Sequence, residues 1–205
     1  MTTPILNQAF FARDVRVVAR ELLGCRLTYV SNEGTAGGTI VETEAYLGAR
    51  DPASHAFRGQ TKRNAVMFGP AAHAYIYFTY GMHYCFNVVT GVDGVGDAVL
   101  IRALEPTVGL ELMQTRRGQV DDRQLTNGPA KLVQALGITK ADYGRNVLEP
   151  PLVITTGTKP RHVSTSPRIG ITNAQDKLWR YYITDNHYVS RRTNPKQQET
   201  RQPPT

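Results

Sequence analysis

The sequence predicts an α+β fold, in which antiparallel strand pairs dominate and helices interrupt them irregularly. Three observations carry this expectation. Strand-like runs with period-two alternation recur along the chain, starting with CRLTYVS and GGTIVETEAYL. Two further runs, in AYIYFTYGMHYCFNVVTG, flank Tyr80-Gly81-Met82-His83 and read as a β-hairpin. The helical segments are few and do not alternate one-for-one with strands, as a doubly wound sheet requires. With 205 residues, 40% of them hydrophobic, the chain can build one sizeable core. No repeat or linker divides it.

The elements follow in order. ARDVRVVARELLG predicts the first helix, with Asp14 capping it, Val15, Val18 and Leu22 along one face, and Gly24 ending it. The two strands CRLTYVS and GGTIVETEAYL come next, with NEGTAGG supplying turn residues. A polar loop spans 48–70, and the hairpin follows. DAVLIRALEP is a further strand that Pro106 is expected to end, before a helix through TVGLELMQTRR. NGPAKLVQALG predicts a short helix with Pro129 in its first turn and Gly137 at its end. PLVITTG and PRIGIT read as strands, and a short helical segment is expected near Gln175 to Trp179. The domain is expected to occupy 1–192, and the basic, proline-punctuated stretch 193–205 reads as a disordered tail.

Composition narrows the function classes. A formal net charge of +7 and a pI near 9.6 favour polyanions such as DNA or RNA, although ordinary solubility charge looks the same. Cys25 and Cys85 are the only cysteines, too few for a disulfide framework and not spaced for zinc. The start of the chain lacks the pattern of a secretion signal, and no apolar run is long enough to cross a bilayer. These features predict a reduced, cytoplasmic protein with no structural metal and no membrane association.

Chemistry concentrates in VETEAYLGARDPASHAFRG. Strict alternation puts Val41, Thr43 and Ala45 on one face and Glu42, Glu44 and Tyr46 on the other. An exposed charged face fits this pattern as well as an acid–base site does. The loop adds His55 and Arg58. Arg102, inside the apolar run VLIRALEP, needs a carboxylate or an anion if buried, with Glu44 or Glu42 the obvious partner. A structural ion pair satisfies it equally well. In the hairpin Tyr75 and Tyr77 share one face, while Ile76, Phe78 and Phe86 read as core. Tyr80, at the turn, reads as an exposed aromatic that is either incidental or a wedge between base steps. Asn87, if buried, needs defined hydrogen bonds.

Taken together the motifs VETEAYLG with the following His55, TKRNAVMFG, YIYFTYGMHYCFNVV, VLIRALEP, NGPAKLVQALGI and PRIGI followed by LWRYYI resemble the alkyladenine (3-methyladenine) DNA glycosylases of vertebrates and many bacteria. They occur in order from about Asn7 to Arg191. The resemblance implies one α+β domain with a curved antiparallel sheet surrounded by helices and a protruding hairpin. It implies a monofunctional DNA repair enzyme without cofactor. Such an enzyme flips a damaged purine (3-methyladenine or 7-methylguanine, and beyond these hypoxanthine or ethenoadenine) out of duplex DNA and hydrolyses its N-glycosidic bond. An abasic site remains for base excision repair. No obligate protein partner is implied, and one pocket for one nucleotide suits a monomer.

The same resemblance assigns roles. Glu44 aligns with the water-activating carboxylate, and Arg102 and the backbone carbonyl of Ile171 with groups that hold the water. Tyr46, His55 and Tyr77 align with the walls of the base pocket. The backbone of Ala53 and the side chain of His55 are implied to read the base edge, Asn87 to exclude the guanine amino group, and Tyr80 to fill the vacated stack. Arg58, Lys62 and Arg63, with Lys131, are expected to meet phosphates; solvated surface charge is the competing reading for each. This chain departs from the pattern in a longer TGVDGVGD turn, a shorter 56–63 loop, no long basic N-terminal extension, and Leu178 where proline often precedes the tryptophan.

Two other classes fit less well. A retaining glycoside hydrolase would use paired carboxylates, but these normally come from different elements, unlike Glu42 and Glu44. A non-catalytic nucleic-acid module would use the tyrosines as a stacking platform, but gives no reason for Glu44 near Arg102. The histidines, His55, His73, His83, His162 and His187, show no metal-ligand spacing.

Overall fold

The computed structural model describes residues 4–79 and 82–190, so Tyr80 and the tail expected at 193–205 lie outside the described residues. Among these, nine strands form one antiparallel sheet, curled into a half-barrel. They are β1 (Arg26–Ser31), β2 (Gly34–Leu47), β3 (Ala74–Phe78), β4 (Tyr84–Thr90), β5 (Asp97–Val108), β6 (Leu148–Glu149), β7 (Leu152–Thr155), β8 (Val163–Ser166) and β9 (Arg180–Ile183). The order is β3-β4-β5-β2-β1-β7-β6, with β9 joining β2 and β8 joining β9. One edge of β2 is shared: β1 takes its residues 34–39 and β9 takes 42–44.

Among the described residues four α-helices accompany the sheet: α1 (Gln8–Phe11), α2 (Val15–Glu21), α3 (Leu110–Arg117) and α4 (Pro129–Leu136). Asp14 caps α2 as expected, its carboxylate accepting from the Arg16 N–H, and Val15, Val18 and Leu22 are fully buried. They share the main core with Leu132 and Leu136 of α4 and with Ala45, Ile76, Phe86, Val88, Val99 and Ile101 of the sheet. The helices thus cover one sheet face. The opposite face carries the alternate residues, and one cross-strand row on it runs Tyr75, Asn87, Leu100, Glu44, Arg180 from β3 to β9.

The predicted strict alternation of β2 does not hold along its length. Ala36 and Ile40 point into the main core, but so do Ala45 and Leu47. The parity changes because the β2–β5 register passes over Val41 on one strand and Arg102 on the other. Such bulges re-aim side chains next to functional sites. Here they turn Glu42, Glu44 and Tyr46 away from the core and place Arg102 beside them.

Several boundaries differ from expectation. NEGTAGG is mostly strand: β1 and β2 join through Asn32 and Glu33 alone. Gly37 and Gly38 sit inside β2 because a Cβ there would lie 2.6 Å from the Leu27 carbonyl oxygen and 2.3 Å from that of Glu105. Strand β5 continues through Pro106, which pairs with Gly38 at a register shift that tolerates the missing N–H. PRIGIT is irregular rather than a strand; its Arg168 and Ile169 N–H turn inward to carboxylates, and Gly170 has a φ of +77° that an extended strand excludes. The segment expected to be helical near Gln175 to Trp179 is a turn. Phe78 is not core: it lies 43% exposed at the end of β3 and packs on Tyr84.

Candidate active site

The face turned away from the helices lines a pocket of about 630 Å³. Strand β2 contributes Tyr46, β3 contributes Tyr75 and Tyr77, β4 contributes Cys85 and Asn87, and β5 contributes Ala98, Leu100 and Arg102. The loop after β2 closes one side with Ala53, Ser54, His55, Phe57 and Arg58, and the irregular 169–173 segment closes another. Period-two alternation on four strands accounts for the floor; the bulges account for Arg102 at one end of it.

Glu44 lies directly behind this wall and is fully buried. Its Oε2 accepts from the Tyr46 phenol at 2.8 Å, and its Oε1 accepts from the Ile169 N–H at 2.8 Å. Arg102 Nη1 stands 3.3 Å from the same Oε1. All three partners line the pocket although Glu44 itself does not. Burial, and then the neighbouring Glu44, push the Tyr46 phenol well above its ordinary pKa, so it remains a hydrogen-bond donor.

Arg102 is held by both acids. Its Nε donates to Glu42 Oε1 at 2.9 Å, leaving Nη1 for Glu44. Glu42 also accepts from Arg180 Nε at 2.7 Å and from the Ser190 N–H and hydroxyl. Burial opposes its ionisation, but Arg102 and Arg180 outweigh that and hold its carboxyl below the usual range. Saturated by these donors and absent from the pocket wall, Glu42 is a support for Arg102 and not a second acid facing a substrate. The paired-carboxylate glycosidase reading therefore loses its geometry.

The aromatic wall is interlocked. His55 Nδ1 lies 2.8 Å from the Tyr75 hydroxyl, and the His55 and Tyr77 ring centroids are 4.5 Å apart, edge to face. Burial, and then Arg63, lower the His55 pKa, which keeps the imidazole neutral near pH 7. Burial pushes Tyr75 up to about 12 and raises Tyr77 as well. Asn87 is buried, and its Nδ2 donates to the Tyr75 carbonyl at 3.1 Å, fixing the amide against the pocket.

The remaining expected residues fall as follows. The Ala53 N–H is committed to Asp51 Oδ1 at 3.1 Å, so the group Ala53 offers to a ligand is its carbonyl. Ile171 lines the pocket, and its carbonyl accepts from Gln175 Nε2. Arg58 lines the pocket mouth and Lys62 is exposed. Exposed Arg63 donates to the Phe78 carbonyl and lies 5.9 Å from the Tyr77 ring centroid. Lys131 donates to Gln124 and Asn127. Tyr80 lies outside the described residues. Sequence reasoning missed Asp51, Arg168 and Arg180, all buried. In a basic chain their charges read as solubility, and only a tertiary pairing distinguishes them.

These features describe an aromatic slot backed by a hydrogen-bonded carboxylate. The family model described as Methylpurine-DNA glycosylase (MPG) matches residues 9–187. A relative from Methanoculleus marisnigri is 52% identical over 91% of this chain and 99% of its own length. Another from Carboxydothermus hydrogenoformans is 49% identical over 92% and 100%, and one from Bacillus subtilis is 48% identical over 89% and 94%. Each carries the name "Putative 3-methyladenine DNA glycosylase". The protein is an enzyme of the DNA glycosylase class. Within that class, the chain belongs to the methylpurine-DNA glycosylase family.

Proposed function

We propose that the enzyme removes N-alkylated purines, foremost 3-methyladenine and 7-methylguanine, from duplex DNA by water attack at C1′, and that it acts as a monomer without cofactor. Neutral hypoxanthine and ethenoadenine leave more slowly, because no pocket residue is an evident acid for their departure. Extrusion costs a few kcal/mol, least at damaged pairs. An extruded base fits between Tyr46 on one side and His55 and Tyr77 on the other. A cationic base gains about 0.5–2 kcal/mol there from the π faces. Asn87 stands where a guanine amino group would enter.

The observation that carries the reading is Glu44, held by three donors at the rear of the slot. As the glycosidic bond breaks, its charge offsets the cationic sugar. It takes the proton of the attacking water at Oε2, which among the described residues accepts only from Tyr46. Glu44 is fully buried behind Tyr46, Ile169 and Arg102, so this reading requires a wall side chain to move aside for the water. The residues lining the pocket include no lysine, so the product is an abasic site and an intact strand. Arg58, Lys62 and Arg63 at the rim meet phosphates, and Tyr80 fills the vacated stack.

The test is a duplex with one 7-methylguanine or hypoxanthine, incubated with enzyme and then treated with alkali. Strand breaks that appear only after alkali and survive a chelator support the proposal. Breaks without alkali, loss with chelator, or tight binding with no base release contradict it.

A further inference from the structure

We infer that Arg168 is a positioning residue that registers the base-reading wall of the pocket against Glu44; the inference rests on the glycosylase reading above. Its side chain is buried, and it does not line the pocket. Yet it touches Ala45, Asp51 and Tyr46, which adjoin the carboxylate, the loop and the slot. Nη1 donates to the carbonyl of Ala45, the residue between Glu44 and Tyr46, at 2.9 Å. Nη2 donates to Asp51 Oδ1 at 2.8 Å, and Nη1 to Oδ2 of the same carboxylate. The guanidinium carbon lies 4.6 Å from the Tyr46 ring centroid and 5.1 Å from that of Trp179.

The consequences connect. Tyr46 lines the pocket and Arg168 does not, so the guanidinium covers the ring face turned away and leaves the other for a base. Asp51, fixed by Arg168, in turn accepts from the Leu47 and Ala53 N–H groups and so sets the loop that presents Ala53 and His55. The residue after Arg168 gives its N–H to Glu44 Oε1. One irregular segment therefore fixes the stacking ring, the edge-reading loop and the carboxylate together. A buried ion pair is weak evidence of stabilisation, whereas displacement of a reacting group by about 1 Å costs on the order of a hundredfold in rate. Lysine cannot reproduce the arrangement, since it lacks the planar fork that bonds Asp51 twice while lying flat on a ring.

The experiment compares wild type, Arg168→Lys and Asp51→Asn in single-turnover release of 7-methylguanine. It also measures binding to duplex carrying an abasic-site analogue, and thermal melting. The expected result is at least a tenfold slower release by both variants, with binding within threefold of wild type and folded protein at the assay temperature. Unchanged release, or loss shared equally by binding and release, overturns the inference. So does failure of both variants to fold, which would make the pair a requirement of the fold alone. A wild type that releases no base instead refutes the glycosylase reading.

Discussion

Tyr46 donates its phenolic proton to Oε2 of Glu44 across 2.8 Å, joining two residues that alternate onto the same face of β2. The ring that borders the pocket and the acid behind it are thus a single hydrogen-bonded unit. On the proposed reading Tyr46 has two separable duties: its ring stacks on the base, and its hydroxyl aims the carboxylate.

Tyr46→Phe separates them. A hydrogen bond to a charged group contributes about 1.5–3 kcal/mol, so single-turnover base release falls roughly ten- to a hundredfold. Affinity for damaged duplex stays near wild type because the ring remains. Rates at saturating enzyme and a binding titration check both halves.

Glu42→Gln removes the acid shared by Arg102 and Arg180. Two buried guanidiniums then lose their common counter-charge, which costs about 3–5 kcal/mol of stability. Urea denaturation measures this directly as a lower midpoint. Base release also slows, because Arg102 Nη1 is no longer held toward Glu44.

Asp97, at the start of β5, is buried beside Arg50, whose Nη2 stands 2.8 Å from Oδ2. Burial, opposed by Arg50, raises its pKa from 3.8 to about 6. The folded state therefore binds this proton more tightly than the unfolded chain does. That contribution is complete below about pH 4 and is lost as the pH climbs through about 6. A rise from 3.8 to about 6 corresponds to at most about 3 kcal/mol, which solvent screening lowers. Asp97→Asn removes the titration, so wild-type stability measured against the variant's declines by up to that amount between about pH 4 and pH 7. Paired urea titrations across that range show it.

Asn87→Ala opens the space beside Leu100 in the pocket floor and frees the Tyr75 carbonyl. Release of unmodified guanine from duplex DNA rises about tenfold over wild type, within the range one pocket contact supplies in discrimination. Chromatography of the released bases measures it.

The residue pattern made part of this site legible. Period two placed Glu44 with Tyr46 and Tyr75 with Tyr77, because strand geometry forces alternate residues onto one face. An arginine inside an apolar strand announced a buried carboxylate, and Arg102 has two. The bulges that skip Val41 and Arg102 were not legible, since register depends on both strands at once. PRIGIT alternates like a strand, yet the inward pull of Asp51 on Arg168 and of Glu44 on the Ile169 N–H overrides local propensity. The same long-range pairings hid Asp51, Arg168 and Arg180. The span of the family was legible from ordered motifs that reach along nearly the whole chain.

The central claim is that the Glu44 carboxylate drives base release. Single-turnover excision of 7-methylguanine by wild type and Glu44→Gln, with duplex binding measured alongside, puts it to the most direct test. The expected result is a loss of at least about a hundredfold in rate, the lower range of general-base contributions, with binding retained. A Glu44→Gln protein that releases the base at the wild-type rate contradicts the claim.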